Sequence, residues 1–145
     1  MDLKFLSIAG FCVGLFALTI LVMRESILAD NLVAILVQVF AVLLMLWARV
    51  TFGRRSFHVS ANPTDGGLIT TGPYHYIRHP IYASILYFLW AGIFSHLSLI
   101  NIFLGIVVTF GSFIRIFSEE HLVTEQYPNY VEYAARTKRI IPFVL

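Results

Sequence analysis

The stretch PIYASILYFLWAGIFSHLSLINIFLGIVVTFGSFIRIF, residues 80–117, carries a single charged residue, Arg115. Pro80 suits the first turn of a helix, where its missing N–H costs nothing. The apolar run Ile81–Ser95 follows it, and a second run spans Leu97–Phe117, with Asn101 near its start and Arg115 near its end. The two runs are joined only by the Ser95-His96-Leu97-Ser98 region. So tight a link predicts an antiparallel helical hairpin, with helices over 80–95 and 97–117. The first of these is short for a bilayer crossing, which takes roughly 20 residues.

Upstream lie two more apolar runs, Phe5–Met23 and Leu32–Ala48, the latter interrupted only by Gln38 and ended by Trp47 and Arg49. The first run is longer than a secretory signal core of about 7–15 residues and lacks a clear small-x-small cleavage site, so it reads as a retained helix. The whole chain has 145 residues, 59% of them hydrophobic and 12% charged. A water-facing domain carries roughly 25% charged residues, so lipid must cover much of this one. These features predict an all-α integral membrane protein. It should form one domain over 1–145, with about four transmembrane helices (5–23, 32–48, 80–95, 97–117) and a C-terminal segment 118–145. Within that segment, Ser118–Arg136 mixes charges with Leu122, Val123, Tyr127, Tyr130 and Tyr133, which predicts an interfacial helix broken near Pro128. The segment Phe52–Pro73, with Gly53, Pro63, Gly66, Gly67 and Gly72, reads as an ordered loop of turns.

Lysine and arginine placement sets the expected orientation. Arg49, Arg54, Arg55 and Arg78 lie in one loop, and Arg136, Lys138 and Arg139 in the tail, whereas the loop 24–31 has one Arg, one Glu and one Asp. The basic loop, the tail and both termini are therefore expected on the cytoplasmic side, with His96 opposite. Lys4 agrees. The net charge of +2 is explained by this topology and gives no reason to expect nucleic acid. The lone cysteine, Cys12, cannot form an intramolecular disulfide and reads as a small packing residue. No Cys/His spacing suggests a metal.

Two polar islands bracket the hairpin. The first runs Leu68-Ile69-Thr70-Thr71-Gly72-Pro73-Tyr74-His75-Tyr76-Ile77-Arg78-His79-Pro80-Ile81-Tyr82. His79 and Tyr82 are one helical turn apart and share a face. Residues just before Pro80 sit at a helix N-terminus, where free backbone N–H groups bind anions or polar ligands. The second island is Arg115, Glu119 and Glu120, with Arg115 and Glu119 spaced i,i+4. An arginine this close to an apolar span is costly unless it is paired or functional. Glu119 suits a cation or several hydroxyls, and Arg115 a carboxylate or phosphate. An interfacial belt of Tyr, His and Arg, closed by a helix-end ion pair, is the plain alternative. Tyr130 and Tyr133 read as packing, Arg139 as a clamp on lipid head groups, and His58 and His75 as interfacial residues. There is no dinucleotide loop, Walker loop, nucleophile elbow or His-Glu-x-x-His.

The run Gly72-Pro73-Tyr74-His75-Tyr76-Ile77-Arg78-His79-Pro80-Ile81-Tyr82 resembles the signature of the isoprenylcysteine carboxyl methyltransferase family, and phospholipid N-methyltransferases share much of it. Glu119-Glu120, Leu122, the stretch Tyr127 to Tyr133 and Arg139-Ile140-Ile141-Pro142 resemble that family's C-terminal signature. The tail departs from it at Tyr127-Pro128-Asn129-Tyr130. The resemblance covers roughly the last ninety residues. It implies an intramembrane methyltransferase that uses S-adenosylmethionine taken from the cytoplasm and a lipophilic acceptor taken from the bilayer. Carried over by position, Gly67, Leu68, Ile69, Tyr74, His79, Pro80, Tyr82, Glu119 and Glu120 would bind the cofactor. Arg115 and Arg139 would bind the acceptor, and Arg115 and Glu119 would serve catalysis. The first two helices add only hydrophobicity to this likeness.

Methyl transfer from a sulfonium is an in-line displacement that demands proximity and exclusion of water. A carboxylate acceptor needs no base, whereas an amine needs one. The expected acceptor is an isoprenylcysteine-like or other hydrophobic carboxylate, with a phospholipid amine as the alternative. A membrane sterol or enone reductase using NADPH has a similar His-Pro-x-Tyr pattern, but Glu119-Glu120 is a poor place for an anionic dinucleotide. A small transporter would carry an acid inside a span, and every Asp and Glu here lies outside the central apolar runs.

Overall fold

Asn31 starts the second helix: its side-chain oxygen accepts from the Ala34 N–H at 3.0 Å. Ser98 does the same for the fourth, accepting from the Asn101 N–H at 3.1 Å. Each satisfies an N–H that the helix leaves without a partner. The computed structural model describes residues 3–53, 67–142 and 144. The helices are α1 (Leu3–Met23), α2 (Leu32–Phe52), α3 (Pro80–Ser95), α4 (Leu99–Gln126) and the short α5 (Tyr130–Arg136), with a 3₁₀ turn at Gly72–His75. Among the described residues there is no β-strand; one parallel bridge joins Ile77 to Lys138. The expected Arg54, Arg55, His58, Pro63 and Gly66 fall outside the described residues.

Among the described residues three helices, α1, α2 and α4, are long and apolar enough to cross a membrane, and α3 is a shorter apolar helix. The chain is a small all-α membrane protein. At a rise of about 1.5 Å per residue, α3 is roughly 24 Å long and α4 roughly 42 Å, against a hydrocarbon core of about 30 Å. Helix α4 is therefore longer than the hydrocarbon core is thick, and its last turns carry the charged residues Glu119, Glu120 and Glu125.

Several boundaries differ from the sequence expectation. Helix α4 starts at Leu99 because Ser98 caps it. Helix α2 continues to Phe52 and stops at Gly53, whose φ of 68° sends its N–H to Arg49 O. An arginine in the last helical turn is favourable, so Arg49 does not end the helix. The expected interfacial helix over 118–136 is two pieces. Ser118–Gln126 continues α4, since its charges find partners without a break. The chain then turns at Tyr127-Pro128-Asn129, and α5 follows. Pro128 disfavours helix in the residue before it, so the turn falls there.

Packing pairs α1 with α4 and α2 with α3, and a smaller α3–α4 contact joins the pairs. One core cluster comprises Ala17, Leu21, Leu89, Ile93, Leu104 and Val108; the other comprises Leu44, Ile77, Ala83, Leu86, Ile116 and Ile140. Close approach of α1 to α4 depends on glycine. A Cβ on Gly111 would lie 2.6 Å from Gly10 O. Cys12 is exposed rather than packed; it points off the α1–α4 seam, and Gly10 takes the packing role. The outward residues Phe5, Phe16, Phe40, Phe103 and Phe110 are exposed, as lipid-facing side chains are.

Polar side chains stitch the end of the bundle that holds the 24–31 loop. Asn101 Nδ2 donates to Ser26 Oγ at 2.9 Å and to His96 O at 2.7 Å, and Arg24 Nε donates to Asn101 Oδ1 at 2.8 Å. Buried Gln38 donates to Ile27 O at 2.6 Å and to Phe88 O at 3.1 Å, and accepts from Ala29 N at 3.0 Å. A buried amide in an apolar span is tolerable when bonded in this way. The opposite end is left to the two polar islands.

Candidate active site

The islands meet because the hairpin returns the chain to one end of the bundle, and the tail then pairs with the first island. Arg78 N donates to Lys138 O at 2.7 Å and His79 N to Arg139 O at 3.0 Å. Tyr133 Oη donates to Tyr74 O at 2.6 Å and Tyr87 Oη to Ile140 O at 2.7 Å.

Glu120 is the hub. Arg78 Nε donates to its Oε1 at 2.9 Å, and Arg139 Nε and Nη2 donate to its Oε2 at 3.0 and 2.9 Å. His79 Nε2 lies 3.2 Å from Oε1. The Arg78 guanidinium also donates to Ala134 O at 2.7 Å and to Thr137 O, capping carbonyls at the end of α5.

Glu119, one residue away, faces a different set. Tyr82 Oη donates to Glu119 Oε1, and Arg115 Nε donates to Tyr82 Oη at 3.0 Å. Arg115 Nη2 is 3.6 Å from Glu119 Oε1, and His79 Nδ1 is 4.0 Å from Glu119 Oε2. Arg115 is only 7% exposed, and its guanidinium sits 5.0 Å from the centre of the Phe11 ring on α1. His79 and Tyr82 share one face as expected, their rings edge to face at 5.8 Å.

These side chains line one cavity of about 400 Å³, within the usual range for small-molecule sites. Gly67, Leu68, Ile69, Tyr74, His79, Pro80, Tyr82, Arg115, Glu119 and Glu120 all reach it. Arg139 is not among the lining residues. It stands behind Glu120, with its guanidinium 5.0 Å from the Phe117 ring centre. The structure thus places Arg139, expected at the acceptor, outside the cavity lining and on Glu120. Glu120 lines the cavity, but both its oxygens are engaged by cations.

Other lining residues were not expected. Gly10, Phe11, Gly14, Leu15 and Leu18 form a wall from α1; Arg49 and Phe52 come from the end of α2; Tyr127, Tyr130 and Tyr133 come from the tail. Gly10-Phe11-Cys12-Val13-Gly14 is a Gly-x-x-x-Gly spacing, a signal for close helix approach in membranes.

Tyr74 Oη is buried with no hydrogen-bond partner among the described residues. Burial pushes the Tyr74 and Tyr130 phenols well above their ordinary range, and it pushes Tyr133 up to about 12. None of the three is a base at neutral pH. The site therefore offers one orphaned hydroxyl, an acid held by a tyrosine, and a buried arginine against an aromatic ring. Among the described residues no cluster of His, Cys, Asp or Glu suits a metal.

The sequence pattern of the phospholipid methyltransferase family matches residues 29–130. No curated protein and no solved structure matches the chain. The match includes α2, α3, α4 and both islands up to Tyr130. It excludes the α1 wall and the tail residues Tyr133 and Arg139.

Proposed function

The chain belongs to the phospholipid methyltransferase family, and from that premise we propose that it transfers a methyl group from S-adenosylmethionine to the head-group amine of a phospholipid. The observation that carries this reading is the Arg115–Tyr82–Glu119 chain inside the cavity. The cofactor's chemistry suits the residues present. Glu119 would hold the cationic amino-acid part, and Tyr74 Oη, without a partner among the described residues, would offer a donor and an acceptor to a ribose hydroxyl or the carboxylate. Leu68, Ile69 and Pro80 supply apolar wall. When bound, the cofactor supplies an electrophilic methyl group on sulfonium sulfur.

The protein's own part is positioning and dryness. Arg115 holds the phosphate beside the amine through charge-assisted bonds. Phe11 keeps water off the guanidinium and favours its charge. Glu119 takes the proton that the ammonium must lose before it can attack. Tyr82 bridges Glu119 and Arg115, whose own contact is 3.6 Å, and fixes their geometry. His79, Glu120, Arg78 and Arg139 hold Tyr82 and Glu119 in place from behind. Arg49, Arg78, Arg136, Lys138 and Arg139 all lie at this end of the chain's polar surface, which supports a cytoplasmic opening.

A second reading takes the acceptor to be a carboxylate of isoprenylcysteine type, for which Arg115 alone suffices and no base is needed. It is favoured by the tail: residues beyond the family match, including Arg139-Ile140-Ile141-Pro142, dock onto the site.

The test is transfer of labelled methyl from S-adenosylmethionine in membranes carrying the full chain, followed by alkali treatment of the lipid extract. A methylated amine keeps its label. A methyl ester releases labelled methanol and supports the second reading. No transfer by the wild-type chain to any extracted lipid, with no saturable cofactor binding, would overturn both.

A further inference from the structure

A second hollow of about 330 Å³ lies between α1, α2 and α3. Its walls are Leu18 and Val22 of α1, Val42 and Met45 of α2, and Ile85 and Phe88 of α3. Its floor has small residues: Ala41 is 1% exposed and Ser84 2%. The Ser84 hydroxyl is spent on Ile81 O at 2.7 Å, so the hollow presents no free polar group. It arises because α1 packs on α4 and α2 on α3, which leaves the face of α3 between α1 and α2 open.

The two hollows run end to end. Leu18 and Ile85 line both. Along α1 the lining proceeds from Gly10, Phe11, Gly14 and Leu15 in the first to Val22 in the second. The distance from Phe11 to Val22 is eleven helical residues, or roughly 16 Å. Arg115 and Glu119 line the first part of the combined channel, and Ile27 is among the apolar residues of the second. Only an amphipathic occupant matches such a channel: a charged head at one end and a single flexible apolar chain at membrane depth.

We propose that the groove between α1, α2 and α3 holds one acyl chain of the phospholipid acceptor while its head group lies in the reaction cavity. The proposal rests on the phospholipid reading above. It makes Val42, Met45 and Phe88 determinants of chain selection, although none of them touches the reacting atoms. A lipid held by its chain as well as its phosphate presents its amine at one depth, which is the alignment that in-line transfer needs.

The test has two arms, both with the full chain. In the first, vesicles of phosphatidylcholine carry phosphatidylethanolamine with a diazirine in one acyl chain, and the labelled peptides are mapped after illumination. Label concentrated at Met45, Ile85 and Phe88, and displaced by Val42→Trp, is the expected result. Label spread over the outward Phe16, Phe40 and Phe103 with no enrichment in the groove overturns the proposal. Val42 is exposed and outside the cavity, so its enlargement should fold. In the second arm, methyl transfer is measured with long- and short-chain phosphatidylethanolamine. Val42→Trp should raise KM for the long chain about tenfold and leave kcat and the short-chain KM unchanged. Equal KM values for variant and wild type with the long chain overturn the proposal. A wild-type chain that methylates neither lipid counts against the phospholipid reading, and the labelling arm still decides whether the groove holds a chain.

Discussion

Arg139 donates to a single oxygen of Glu120 through two nitrogens, at 3.0 and 2.9 Å, and so ties the C-terminal tail to the fourth helix. The other oxygen takes Arg78 at 2.9 Å. The Glu120 side chain is 12% exposed and that of Arg78 8%. Removing one member of a buried ion cluster leaves the others uncompensated, at a cost of about 3–5 kcal/mol.

Glu120→Gln should therefore release the tail. The expected result is a lower melting temperature in detergent and rapid tryptic cleavage at Arg136, Lys138 and Arg139. Arg78→Lys should act in the same direction, since one ammonium cannot serve Glu120, Ala134 O and Thr137 O together. Unchanged melting and an intact tail in Glu120→Gln would show that the cluster contributes nothing to docking.

Tyr82 donates to Glu119 and accepts from Arg115, so its hydroxyl sets the spacing of the proposed base and the proposed anion clamp. Tyr82→Phe keeps the ring against His79 and removes only that hydroxyl. We expect kcat for methyl transfer to fall about 100-fold, as for loss of one preorganised hydrogen bond in a site, with the melting temperature held within a few degrees. Stopped-flow or discontinuous transfer assays at saturating cofactor decide it. A kcat equal to wild type would remove Tyr82 from the catalytic set.

The hairpin was legible because charge is absent from residues 80–117 except at Arg115, and its close link permits one geometry. The cavity set on α3 and α4 was legible because His79, Tyr82, Arg115 and Glu119 sit at helical spacings near the ends of those runs. The partner of Glu120 was not legible. Arg78 and Arg139 lie 42 and 19 residues from it, and only tertiary folding brings them in. The α1 wall was missed for a related reason. Gly10 and Gly14 announce a close approach, but the surface approached, Gly111, is known only once α1 and α4 are seen paired. Arg139 is expected at the acceptor from its place in the tail, and it lies outside the cavity lining, on Glu120, a pairing that no local spacing announces.

Tyr133 gives the fold an alkaline limit. Burial raises its phenol from the ordinary 10 to about 12, against a smaller lowering by Arg78. The unfolded chain ionises first, so this contribution is fully present below pH 10 and is lost as pH rises through about 12. A tyrosinate absorbance titration of the folded protein should show a late-titrating component that includes Tyr74, Tyr130 and Tyr133, and that Tyr133→Phe lessens by one tyrosine. Tyr133→Phe also gives up the bond to Tyr74 O, so at neutral pH it should cost about 1 kcal/mol. A single titration at the ordinary tyrosine value would contradict the burial of Tyr133.

The seam between α1 and α4 can be tested at two glycines of different surroundings. A Cβ on Gly111 meets the backbone oxygen of Gly10 at 2.6 Å, whereas one on Gly14 meets nothing within 4 Å. Backbone cannot swing aside as a side chain can, so Gly111→Ala must push α1 away, at a cost of about 1–3 kcal/mol for overpacking. Displacing α1 moves Phe11 off Arg115, so the acceptor KM should rise while cofactor affinity, held by α3, the first island and Glu119, stays near wild type. Gly14→Ala gains helix propensity without a clash and should melt at or slightly above the wild-type temperature. Equal melting temperatures for Gly111→Ala and Gly14→Ala would mean that α1 does not bear on α4 through these glycines, and the Phe11 wall of the site would then lack its support.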